Sequence, residues 1–167
     1  MYIQVLMFRQ DDPKKCTAAK LVKFGLAKPV TRTKHDTIVL DPFAKQTLLR
    51  QDAKIADSIT GIDCSWNLAE DTFTKKFLGI SRKLPPLLAG NPVNYSKLNK
   101  LTTVEAIAGA IFILGYEKQA LNLLAKFNWG HTFYELNEEL LKDYSKLQFE
   151  DQIDPLLRQY GIVKNFD

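Results

Sequence analysis

The sequence predicts an α/β first half built on a parallel sheet, followed by an all-α second half, and three observations carry that reading. Over about the first 90 residues, short β-branched and aromatic runs alternate with helical segments, the order that builds a parallel sheet covered on both faces. The apolar runs in this half are too brief for helices and end in Asp, Gly or Pro. Beyond residue 95 the pattern turns wholly helical, with capping residues and no further strand. The division falls into residues 1–90 and 91–167.

Taken in order, residues 2–8 (YIQVLMF) are β-rich and predict the first strand rather than a signal peptide. Asp11, Asp12 and Pro13 turn the chain, and 15–24 reads as a helix stopped by Gly25. Thr37–Leu40 (TIVL) is a second strand that ends at Asp41 and Pro42. Residues 43–57 hold a loop and a helix with a mixed face. Ser58–Asp63 (SITGID) is a third strand, followed by a helix over 67–78. The stretch 84–95 (LPPLLAGNPVNY) holds three of the seven prolines and predicts a fourth strand over 84–89 with a rigid turn after it. Gly90 allows a backbone or a ligand to approach closely. This stretch reads either as a linker or as a preformed ligand wall. In the second half, 102–114 is a helix with Thr102 or Thr103 as cap and Glu105 in its first turn. Helices over 117–127, 132–144 and 150–160 follow, the last closed by Gly161.

With 46% hydrophobic and 25% charged residues, the 167-residue chain has the composition of a soluble globular protein. Its net charge of +4 hides an asymmetry: residues 1–100 carry 17 Lys/Arg against 9 Asp/Glu, and residues 101–167 carry 6 against 10. A basic half points to a polyanion, with nucleic acid the usual one, or else to solvated helix faces. The longest apolar run, 106–115, is about half of a membrane span. Cys16 and Cys64 are too few for a disulfide scaffold or a zinc site and read as buried thiols of a cytosolic protein.

In a parallel α/β sheet, ligands bind at the carboxyl ends of the strands. Three such ends bear chemistry here. After the first strand comes Lys14-Lys15-Cys16-Thr17, where Thr17 in a helical first turn either serves an anion or merely caps. After the third comes Asp63 with Trp66, a general base beside a flat apolar wall or else a helix cap. The third is the wall over 84–95, with Thr103 just beyond. His35 and His131 read as a solvated loop residue and a helix-start residue. No Ser-His-Asp, metal-ligand, Walker or GxGxxG pattern is present, which excludes the usual Rossmann dehydrogenases and methyltransferases.

Together KKCTAAKL (14–21), LDP (40–42), GIDCSW (61–66), LPPLLAGNPVNY (84–95), KLTTVEAIAGAIFILG (100–115) and KFNWGHTFYELNEELLKDY (126–144) resemble one family over nearly the whole chain. It is the small-subunit rRNA aminocarboxypropyltransferase family, in its short, archaeal-type form. The resemblance implies a fold similar to the SPOUT methyltransferases, with a trefoil knot and the donor held between the two halves. It implies transfer of the 3-amino-3-carboxypropyl group of S-adenosyl-L-methionine to N3 of a pseudouridine, usually methylated at N1, with 5′-methylthioadenosine as the other product. By position, Thr17 and Ile62 meet the amino-acid portion of the donor, Leu84 offers backbone groups to the adenine, and Asn99 and Thr103 complete the pocket. Asp63, the candidate base, and Trp66, an apolar wall shared with Leu87 and Leu88, line the reacting end. Where relatives often have glycine, this chain has Ala18 and Ser96; where they often have tyrosine, it has Asn99. Arg9, Lys14, Lys15, Lys20, Lys23, Lys28, Arg32, Lys75, Lys76, Arg82 and Lys83 supply an RNA-facing surface. The implied partner is small-subunit rRNA or its precursor particle, met by a cytoplasmic monomer without metal. An RNA methyltransferase and a non-catalytic rRNA-binding factor are the competing readings.

Overall fold

A computed structural model describes residues 1–162. Five parallel strands form one sheet in the order β2-β1-β4-β3-β5, with β1 Tyr2–Met7, β2 Lys28–Pro29, β3 Thr37–Leu40, β4 Ser58–Asp63 and β5 Ile80–Arg82. From the adjacent strands β1 and β4 the chain departs toward opposite edges, to β2 and to β5. Their carboxyl ends therefore flank a switch point, the usual place for a ligand crevice. Buried hydroxyls stitch the centre of the sheet: Thr37 and Thr60 lie 2.9 Å apart, and Thr60 donates to Gln4 Oε1 at 3.1 Å.

The predicted fourth strand is displaced. The strand is Ile80–Arg82, paired with β3 through Ile38–Ile80 and Leu40–Arg82, and 84–89 lies outside the sheet. Pro85 and Pro86 have no N–H to give an interior ladder, so the chain leaves the sheet before them. β2 is only two residues long and escapes any periodicity; its Pro29 suits an edge. The helices are mostly shorter than the sequence suggests. They are α1 Thr17–Lys23, α2 Ala69–Thr74, α3 Thr103–Ile113, α4 Glu117–Leu124, α5 Gly130–Tyr144 and α6 Ile153–Gln159. The expected helix in 43–57 is a 3-10 turn, Arg50–Lys54.

Helix α3 is the central element. Nine of its eleven residues are buried, as expected for a helix apolar on every side. It lies across β4 at Gly61, where an added Cβ would come within 2.9 Å of Ile107 Cδ1 and 3.2 Å of Thr103 Cγ2. One continuous apolar cluster runs from Ile3 and Val5 through α3 to Leu140, Ile153 and Leu157, so both halves share a core. The opposite sheet face, with Leu6, Val39 and Ile62, has a thinner cover of Phe8, Val30, Phe73 and Phe77 instead of the expected full helical layer.

The segment after β5 is extended, yet its backbone is satisfied by side chains and by its own return. Tyr144, fully buried, donates its hydroxyl to Pro86 C=O at 2.7 Å. Asn99 accepts from Leu87 N–H at 3.3 Å and donates its own N–H to Leu87 C=O at 2.8 Å. The side chain of Asn137 pairs with Leu88 as a strand would, at 2.8 Å and 2.7 Å. Ala89 bonds Lys97 C=O and Ser96 N–H at 3.0 Å and 2.7 Å. Gly90 must be glycine, because a Cβ there would stand 2.3 Å from Phe133 N. Ser96 and Asn99 have left-handed backbone, at φ 62 and 61. Left-handed backbone is costly for serine at the first position and better suits asparagine at the second.

Glu105 closes this arrangement. Its carboxylate is fully buried and accepts from Gly90 N–H (2.7 Å), Asn91 N–H (3.0 Å), Asn91 Nδ2 (2.9 Å), Thr102 N–H (2.7 Å) and Thr102 Oγ1 (2.9 Å). The expected cap of α3 is thus a full capping box with Thr102 as N-cap, and the same carboxylate ties down the 84–95 loop. Replacing Glu105 with Ala strands several buried donors at once, each costing about 1–3 kcal/mol unpaired. The expected loss of stability is about 3–5 kcal/mol in urea unfolding; a loss below about 1 kcal/mol would show that the loop has other support.

Candidate functional site

A cleft of about 820 Å³ opens at the carboxyl ends of β1, β3, β4 and β5, a volume ordinary for a cofactor-sized ligand. It collects Thr17, Ile62 and Asp63 from the sheet side, Trp66 and Leu84 from the connecting segments, and Asn99 and Thr103 from the approach to α3. These residues come from four separate stretches of chain.

Asp63, the last residue of β4, joins three elements. Its Oδ1 accepts from Thr103 Oγ1 at 2.7 Å, at the start of α3, and its Oδ2 accepts from Cys16 Sγ at 3.1 Å, at the cap of α1. Cys16 Sγ in turn accepts from Ala19 N–H at 3.3 Å, so this thiol is the N-cap of α1. Both cysteines are half-buried rather than fully buried as the sequence suggested. Burial pushes the Cys16 thiol up to about 11, and the bond and charge of Asp63 add to it; burial raises Cys64 as well. Cys16 therefore stays an S–H donor to the carboxylate at neutral pH. Thr17 is buried, and its Oγ1 accepts from Val104 N–H at 3.2 Å, which ties α1 to α3. Ile62 is buried just before Asp63, with its side chain in the small cluster on the thinly covered face.

Trp66 is 40% exposed and held in place: its Nε1–H donates to Leu101 C=O at 3.1 Å, and Lys100 Nζ lies 4.9 Å from the ring centroid. The apolar wall of the cleft is built differently from expectation. Leu87 is wholly buried in the core beneath Gly109, and neither Leu87 nor Leu88 reaches the cleft; Leu84, Pro85 and Pro86 line it instead. The far end is closed by residues that no pattern in the sequence flagged. Glu150 accepts from both Thr47 N–H (3.1 Å) and Thr47 Oγ1 (2.6 Å), and Asp151 and Ile153 stand beside it. Asp41 joins them, its carboxyl raised by burial. Only a long-range contact brings 150–154 to the strand ends, and no local signal records it.

The basic residues fall into groups. Lys15 and Lys83 line the cleft. Lys14, Lys20, Lys23 and Lys28 are exposed along α1 and the β2 edge. Lys20 Nζ sits 6.0 Å from the Phe127 ring. Arg9 and Arg32 lie in a second groove with Lys76, and Lys75 is exposed beside it. Arg82 departs from expectation: its guanidinium is bonded to Asp52 at 3.2 Å with its side chain only 16% exposed, so it braces β5 against Arg50–Lys54. His35 and His131 are exposed, and no described group of three or more His, Cys, Asp or Glu could hold a metal.

The family described as "Ribosome biogenesis protein, C-terminal" matches residues 38–161. A protein of Methanococcoides burtonii named 16S rRNA aminocarboxypropyltransferase is 43% identical over 95% of this chain and 94% of its own. The chain belongs to the 16S rRNA aminocarboxypropyltransferase family. A second member, from Halobacterium salinarum, is 42% identical over 96% of both chains. Among solved structures, the SAM-dependent rRNA:acp-transferase Tsr3 from Vulcanisaeta distributa matches with a TM-score of 0.86 and 36% identity, over 96% of this chain and 89% of that one. Residues 1–35 also match a family described as a possible Fer4-like domain in RNase L inhibitor. They do not suit an iron–sulfur cluster, which needs several thiolates. That span has one cysteine, Cys16, and its thiol is spent on α1 and Asp63.

The site chemistry gives a pH test. The ordinary thiol value is 9.0, so between there and about 11 the folded protein keeps the Cys16 proton that the unfolded chain has released, and stability falls as pH rises through that window. In a Cys64→Ser background, alkylation of Cys16 should reach half its maximal rate near pH 11, and Asp63→Asn should lower that midpoint. A midpoint at or below 9.0 would contradict the S–H to Asp63 bond.

Proposed function

We propose that this protein transfers the 3-amino-3-carboxypropyl group from S-adenosyl-L-methionine to N3 of an (N1-methyl)pseudouridine in small-subunit rRNA. The observation that carries the proposal is convergence. All seven residues assigned by motif to donor binding or to the reaction line the cleft at the strand ends, in a chain whose relatives are named rRNA aminocarboxypropyltransferases. The lining suits the ligand: a mainly apolar cleft, an aromatic ring, and first-turn backbone at Thr17 for a carboxylate.

When bound, S-adenosyl-L-methionine supplies a sulfonium with three electrophilic carbons, and attack at the aminocarboxypropyl carbon releases 5′-methylthioadenosine. The protein must choose among those carbons. Trp66, fixed by its bond to Leu101, together with Leu84, Pro85 and Pro86 of the same cleft, offers rigid apolar surface to bury the methyl. Leu84 is the one residue of that Leu-Pro-Pro wall with an N–H as well as a C=O, which suits it to the adenine edge. Orientation of this kind is worth up to about 7–11 kcal/mol, more than enough to set the choice. Asp63 takes the N3 proton as the N–C bond forms and the S–C bond breaks. Its two oxygens are aimed by Thr103 and Cys16, and each keeps acceptor capacity.

The finer features belong to the same proposal. Residues 1–90 form the RNA- and donor-facing part, and the described residues from 91 onward complete the cleft, over one shared core. A SPOUT-like trefoil knot, a monomer and a cytoplasmic setting accompany the family resemblance; no described helix is long and apolar enough to cross a membrane. Lys14, Lys15, Lys20, Lys23, Lys28, Arg9, Arg32, Lys75, Lys76 and Lys83 guide the rRNA, without Arg82.

Incubation with carboxyl-labelled S-adenosyl-L-methionine and precursor rRNA should place label in the RNA and release methylthioadenosine; release of S-adenosylhomocysteine would mean methyl transfer. Asp63→Asn should lower turnover by about 10²–10⁴-fold with donor affinity kept within a few fold. Unchanged turnover would remove Asp63 as the base.

A further inference from the structure

At the carboxyl ends of β1 and β2 lies a second groove of about 710 Å³, its lining including the apolar Met7, Phe8, Phe77 and Leu78 and the basic Arg9, Arg32 and Lys76. No carboxylate is among its lining residues, and none of the three cations forms an ion pair with the described residues. Arg9 is held at φ 54, uncommon for a residue with a side chain. The groove is physically joined to the cleft. A row of rings, Phe43–Phe73–Phe77–Phe8, spans the thinly covered sheet face with centroid spacings of 5.9, 5.8 and 6.4 Å. Phe73 lines the cleft, and Phe77 and Phe8 line the groove.

We propose that this groove binds unpaired nucleotides flanking the target, with bases on Phe8, Phe77 and Leu78 and phosphates on Arg9, Arg32 and Lys76. Unpaired cations alone suit any polyanion. Cations beside half-exposed rings suit a strand whose base faces are free, which a duplex does not offer. An acidic protein segment would meet the cations but leave the rings without flat partners. The ring row gives the geometry its direction, leading from the groove to the cleft where the reacting base sits. The proposal rests on the rRNA-modifying function argued above and adds where the flanking strand runs.

The test is equilibrium binding of a labelled oligouridylate, across a salt series, with donor binding and turnover measured separately. Arg32→Ala/Lys76→Ala should weaken RNA binding about tenfold or more. It should also flatten the log–log salt slope by about 1.4, on about 0.7 per lost single-strand phosphate contact. Donor affinity should not change. Phe77→Leu, which keeps an apolar side chain in the lining, should weaken single-strand binding without altering the salt slope. In the unmutated protein, a 4-thiouridine-substituted strand should photo-crosslink within 6–9 or 76–78. Wild-type affinity and slope in the double variant overturn the proposal, as does equal binding of duplex RNA, or displacement by polyglutamate as effective as by unlabelled RNA. Groove-dependent binding without any transfer would sink the transferase function and leave the groove standing; normal transfer with groove-independent binding would do the reverse.

Discussion

The cleft depends on one buried carboxylate. Glu105 gathers five donors from the 90–91 backbone, the Asn91 side chain and the Thr102 cap. A charge out of water is tolerated only when its lone pairs are met, and here the 90–91 segment and Thr102 must meet it together. The same group that starts α3 therefore fixes where the 84–95 loop stands. Asn137, Tyr144 and Asn99 hold the preceding residues. The loop behaves as a strand whose neighbours are side chains, so it can line a ligand site without a sheet edge to extend.

Asp63 makes the complementary junction on the sheet side. Its oxygens reach the cap of α1 and the first turn of α3, and Thr17 accepts from Val104 in that same turn. Three polypeptide ends are thereby locked within one hydrogen-bond network. Thr103 and Glu105 lie two residues apart on α3 and face different partners, the strand end and the loop. Movement of α3 would disturb both walls together, which ties the stability of the core helix to the shape of the site.

Much of this was legible in the sequence. Thr37–Leu40 and Ser58–Asp63 stand where their β-branched runs placed them, and α3 begins at the predicted cap. The residues at the strand ends converge because parallel topology brings carboxyl ends together. What was not legible was non-local. The apolar run around Leu87 looked like a strand because periodicity cannot say which partner satisfies a backbone. Asn137 and Tyr144, from a helix about fifty residues on, take that place. The two-residue β2, the closure of the cleft by 150–154 and the Arg82–Asp52 pair are likewise contacts between distant segments, with no local periodic signature.

The unequal cover on the two sheet faces completes the account. On the α3 side the sheet is sealed under aliphatic residues at zero or near-zero exposure, which supplies the rigidity that positioning within a cleft requires. On the other side a single layer of phenylalanines shields Leu6, Val39 and Ile62 and remains partly open to solvent. A longer helix than α2, which supplies Phe73, would bury more apolar area there. A layer of rings leaves flat apolar surface within reach of a ligand while still keeping water from the sheet. The core therefore stabilises the fold mainly from one side and leaves the ring layer on the other partly open to solvent.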